Sequence, residues 1–174
     1  MKVSIVTVAC IGLLSSMAAP GAAAERYVRA SVNHAGSLEI VASDGRTIVI
    51  PKREEEIGFD KVAISPDGSA VGWVGRRENC CTSYPIPTRL EVYRAGERLT
   101  FAGNDLPVFT WKFVDGGRRV AFHQETVHGG HGVHFEIRDL TSGALIAMWE
   151  PEYGPDNRVR PNQKPPAWVR DLRK

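Results

Sequence analysis

The chain has 174 residues, of which 43% are hydrophobic, and carries 22 lysines and arginines against 20 aspartates and glutamates. A net charge of +2 with no concentrated basic block excludes the electrostatic footprint of a nucleic-acid binder; the densest basic stretch, Arg158 to Arg170, is diluted by prolines.

The first segment reads as an export signal. Met1 and Lys2 make a short basic start, Val3 to Leu14 is apolar except for Ser4, Thr7 and Gly12, and Ala22 to Ala24 supplies the small residues that a signal peptidase reads. Cleavage is expected between Ala24 and Glu25, which assigns 1–24 to a leader and the remainder to the periplasm or the exterior. The apolar run is shorter than the roughly 20 residues a spanning helix needs, so no transmembrane anchor is expected. Cys10 lies mid-run after Thr7-Val8-Ala9, a poor context for lipid modification. The 150 residues that follow suffice for one domain with its own core.

From Tyr27 onward the pattern is that of short strands. Asp44-Gly45, Asp67-Gly68, Ala95-Gly96, Gly116-Gly117 and Ser142-Gly143 mark turns, separated by runs rich in β-branched and aromatic residues. Val133 to Arg138 alternates apolar and polar residues, the period of a half-buried strand. No sustained helical period occurs between Tyr27 and Glu150. The predicted class is all-β and antiparallel. Beyond Glu150 a proline-rich tail, 151–174, is expected to run extended and to end in one or two helical turns, with Trp168, Val169 and Leu172 on one face.

Internal repetition divides the body. Val62 to Gly68 answers to Trp111 to Gly116, Ala70 to Trp73 to Arg119 to Phe122, and Leu90 to Tyr93 to Phe135 to Arg138, at an offset in the mid-forties. Leu38 to Ile50 matches only the second half of that unit. A period of this size with four strands per copy is the signature of a propeller blade, and it divides the chain at about 25–59, 60–105 and 106–150. Pro66, Asp67 and Gly68, with Asp115 and Gly116 in the later copy, are turn residues: proline presets the backbone, aspartate bonds it two residues on, and glycine takes the positive φ.

Strand, Ser65-Pro66-Asp67-Gly68, then apolar strand resembles the TolB-like β-propeller repeat found in many exported bacterial proteins. The later copy keeps Asp115-Gly116 but has Phe113-Val114 where the resemblance calls for Ser-Pro. The resemblance implies four-stranded blades of an incomplete propeller. It implies no activity, because propellers host binding, transport and catalysis alike. Three copies fall short of a closed ring, so either the tail covers the open end or further copies of the chain complete it as a homo-oligomer.

Blade topology predicts that one rim gathers Glu54 to Glu56, the Cys80-Cys81 loop, Asn104-Asp105, and the Thr126 to Gly132 loop. Cys80 and Cys81 with His128, His131 and His134, and His123 one strand earlier, are the candidate metal ligands there; such thiolate and imidazole donors suit zinc or copper. The bland alternatives are an exposed glycine-rich hairpin loop, and His134 in an alternating strand either pairing with His123 across the hairpin or covering the sheet. Adjacent Cys80 and Cys81 also admit a strained vicinal disulfide, because neighbouring α-carbons lie about 3.8 Å apart, below the usual bridge range. Glu54 to Glu56 reads as a solvated loop. No nucleophile elbow, phosphate loop or zinc-protease motif is present. The expected function is a non-enzymatic exported module binding a protein or cell-envelope component, with metal binding and hydrolysis on a propeller scaffold as the alternatives.

Overall fold

The structure is a computed structural model and describes residues 25–79, 84–103, 105–128, 132–156 and 158–172. Eleven strands, one 3-10 turn and one α-helix are formed among them. Strands β1 (Tyr27–Val32), β2 (Leu38–Ala42) and β3 (Thr47–Ile50) make the first sheet. The second holds β4 (Gly58–Ile64), β5 (Ala70–Arg77), β6 (Ile86–Arg94) and β7 (Glu97–Phe101). The third holds β8 (Val108–Val114), β9 (Arg119–Gln124), β10 (His134–Asp139) and β11 (Leu145–Trp149). Each is an antiparallel meander in chain order, open rather than closed into a barrel. Helix α1 (Ala167–Leu172) ends the described chain. The all-β class and the terminal helix are therefore as the sequence predicts.

Local chemistry accounts for the turns. At Ala95-Gly96 both residues have positive φ (50° and 83°), the hairpin geometry that matches strand twist. At the β4–β5 turn, the Ser65 hydroxyl donates to Asp67 Oδ1 at 2.6 Å, and the Ser69 amide donates to the same oxygen at 3.1 Å. Gly68 follows at φ 73°. Burial opposes ionisation of Asp67, but the bonds from Ser65 and Ser69 outweigh it and hold the carboxyl below its ordinary range. In the later copy Asp115 and Gly116 open a single 3-10 turn, and Asp115 Oδ2 pairs with Arg119 at 2.7 Å. The two turns pack together, for a Cβ on Gly117 would lie 2.4 Å from Asp67 Oδ1.

The second sheet is covered on both faces, which explains why Ala70 to Gly75 is buried without interruption. Alternation along β5 and β6 sends Val71, Trp73 and Tyr93 towards Tyr27, Leu38, Ile40 and Ile50 of the first sheet. It sends Ala70, Val74, Leu90 and Val92 towards Val108, Trp111, Val120 and Phe122 of the third. Gly72 lets that second contact close, because a Cβ there would meet the Trp111 ring at 2.4 Å. Ala121 and Phe135, on the far face of the third sheet, are covered by Val169 and Leu172 of α1, with Trp168 edge-on to Phe135 at 6.4 Å. The tail thus caps the last sheet, burying the face that a lone meander would leave to water.

Candidate functional site

Strand register sorts the ends of the sheets. Gly58 pairs with Arg76, Arg77 with Ile86, and Leu90 with Phe101, so the crossover into β4, the β5–β6 loop and the crossover out of β7 share one end. In the third sheet Val108 and His134 both pair with Gln124, which puts the start of β8 and the β9–β10 loop at the corresponding end. Gln124 ties the two sheets together there: its side-chain amide donates to the carbonyls of Ala102 and Leu106. The Glu125 amide donates to Pro107 O at 3.3 Å. A rim is formed by these segments. Two large apolar side chains, Ile57 and Tyr84, stand 42% and 50% exposed on it.

The predicted ligands are distributed as follows. Cys80, Cys81, His131 and Asn104 lie outside the described residues. His128 is exposed at the rim. His134 is buried, and both its ring nitrogens are engaged: Nδ1 lies 2.6 Å from Glu150 Oε1 and Nε2 lies 2.8 Å from Glu136 Oε1. Arg138 donates to the other Glu136 oxygen at 2.6 Å. Burial opposes ionisation of Glu136, yet the hydrogen bonds and charge of Arg138 and His134 hold its carboxyl below the ordinary range. Among the described residues, no group of three or more histidine, cysteine, aspartate or glutamate side chains converges as a metal cage would.

His123 does not face His134, as the cross-hairpin alternative expected. The register sets His123 opposite Phe135, on which its ring stacks at 4.4 Å, and sets His134 opposite Gln124. Adjacent strand positions point to opposite faces, so the two imidazoles lie on different sides of the third sheet.

A second correction concerns the Glu54 to Glu56 run. Glu56 does not lie in solvent. Its side chain is fully buried, with Oε2 accepting the Arg53 amide at 2.9 Å and Oε1 pressed against Gly75, where any Cβ would sit 2.3 Å away. The face of the second sheet beneath it carries a ladder of alternating charge. Glu91, also fully buried, takes Arg98 Nε on Oε2 at 2.9 Å and Arg53 Nη2 on Oε1 at 3.0 Å. Thr100 donates its hydroxyl to Glu91 Oε2 at 2.9 Å. Arg98 lies over the Trp73 ring at 5.3 Å and reaches to 4.0 Å from Glu56. Towards the rim the ladder continues with Arg89, which pairs with Glu55 at 3.3 Å. Arg77 follows at the end of β5, with no ion-pair partner among the described residues. A cleft of about 360 Å³ opens at this point, lined by Arg77, Thr88, Arg89, Thr100, Ala102 and Asp105.

Sequence reasoning missed this ladder. Its signal was the alternation of Arg89, Glu91 and Tyr93 on one face of β6, which is legible only once the strand is known to be covered on both sides.

No protein-family model matches the chain, and no curated protein is similar to it. Among solved structures, a hydrazine synthase chain from Kuenenia stuttgartiensis is similar at 17% identity and a TM-score of 0.42. The match covers 82% of this chain and 43% of that one, so the chain spans less than half of that protein's length.

Proposed function

We propose that the chain is an exported, propeller-like module of the TolB-like kind, without catalytic activity, whose rim binds a protein or other component of the cell envelope. The observation that carries this reading is the convergence of crossovers and hairpin loops at one end, with Ile57 and Tyr84 exposed among charged side chains. Exposed aromatic and aliphatic side chains on a polar background are the usual anchors of a protein interface. Loops held by a rigid sheet scaffold are where binding residues concentrate. Export is supported by the layout of residues 1–24, and the propeller-like reading by three successive meanders stacked face to face.

Affinity capture from an envelope extract tests the reading with three forms of the chain. Wild type and Asp44→Asn, altered at the opposite end, are expected to retain the same partner. The double variant Ile57→Ser/Tyr84→Ala is expected to lose it. Failure of wild type to retain any specific partner, or retention unaffected by the rim substitutions, overturns the proposal.

A further inference from the structure

The charge ladder on the second sheet ends unpaired. Arg53 and Arg98 are matched by Glu91 and Glu56, and Arg89 is matched by Glu55. Arg77 is left over, partly buried at the wall of the cleft. It is the one guanidinium of the ladder without a carboxylate at ion-pair distance among the described residues, and an anion brought to it gains a charge-assisted hydrogen bond. Among the described lining residues Asp105 is the one acid; it is exposed and makes no ion pair among the described residues. The Thr88 and Thr100 hydroxyls donate elsewhere, to Gly75 O and to Glu91, so among the described lining residues the side-chain donors left to the cleft are the two guanidinium groups. The chain itself shows what suits them. Glu55 presents a carboxylate to Arg89 from an exposed crossover, and Arg89, Arg77 and Arg53 all act on it electrostatically.

We propose that this cleft receives a carboxylate presented by an acidic polypeptide segment, which takes Arg89 over from Glu55 and supplies Arg77 with its counter-ion. The proposal rests on the binding-module reading and names the chemistry of the partner. Glu55 is then an internal competitor that keeps Arg89 paired until the acidic segment arrives. The size of the cleft fits one or two acidic side chains rather than an extended groove, so neighbouring residues of the segment lie along the rim outside it.

The test is a titration of the purified chain with fluorescent hexaglutamate, hexaglutamine as the neutral comparison, and inorganic phosphate as a competitor. Hexaglutamate is expected to bind and hexaglutamine not to bind. Arg77→Ala is expected to weaken binding at least about tenfold, the effect of losing one hydrogen bond to a charged group. Glu55→Gln is expected to tighten binding several-fold, a gain that a misfolded variant cannot produce. Glu97→Gln changes the net charge equally but lies at the opposite end of the second sheet, and is expected to leave the affinity where it is.

Equal binding of the two peptides overturns the proposal. So does equal tightening by Glu55→Gln and Glu97→Gln, which would mark a net-charge effect. Phosphate binding at Arg77 without peptide binding overturns it in favour of a small-anion site. None of these results touches the envelope capture, which uses Ile57 and Tyr84 and answers the wider reading separately.

Discussion

Glu136 shows how a single buried residue makes stability depend on pH. Its carboxyl is held below the ordinary glutamate range in the folded chain, so its contribution is complete above the unfolded value and is lost as pH falls through the folded one. The melting temperature of the wild type is therefore expected to drop as pH falls through and below the ordinary glutamate range. Glu136→Gln should start lower at neutral pH and follow a flatter curve in that window; parallel curves would refute the assignment.

Gly72 admits the Trp111 ring because it has no Cβ. Gly72→Ala should cost about 1–3 kcal/mol in urea denaturation, the range for overpacking a filled core. Trp111→Phe in the same background should recover part of the loss, because the two sites are in contact. Turn residues such as Asp67 and Gly68 were legible because their roles are local. Glu56 was not: in a run of three acids nothing local distinguishes the one that turns inward onto Gly75 from the two that do not.

At the scale of elements, period-two alternation located strands well. The expected strand over Val133 to Arg138 corresponds to β10 at His134–Asp139. Register was beyond it. A one-residue slip moves every side chain to the other face, and that is the difference between His123 facing His134 and His123 facing Phe135. The terminal helix was legible from the spacing of Trp168, Val169 and Leu172, because a face of that kind must find apolar cover. Leu172 is 2% exposed against the third sheet. Leu172→Ala is expected to destabilise the chain by about 2–4 kcal/mol. Because Trp168 and Trp149 both pack against that cluster, tryptophan emission should shift to the red in the same variant. Unchanged stability and emission would mean that the helix does not cover the sheet.

For the molecule as a whole, the second sheet couples the other two. One of its faces shares a core with the first sheet through Trp73, and the other shares a core with the third through the side chains that surround Phe122. Trp73→Ala and Phe122→Ala should each cost about 3–5 kcal/mol. Both should lower one common thermal transition rather than split it; two separated transitions would show that the sheets unfold independently. The repeat period foretold four-stranded units, and the strand order shows two four-stranded meanders after a first sheet of three strands. What it left open was the fate of the outer faces, because hydrophobic pattern records that a face is covered and not by what.

The position of α1 has a consequence for lengthening the array. Val169 and Leu172 occupy the surface of the third sheet on which another meander would have to stack. A duplicated unit inserted after Trp149 would have to displace the helix and expose both side chains. One added ahead of Tyr27 would meet the outer side of the first sheet, where Arg29 and Val49 face outward. The fold therefore has a direction of growth, and a designer extending it should add units at the amino-terminal end.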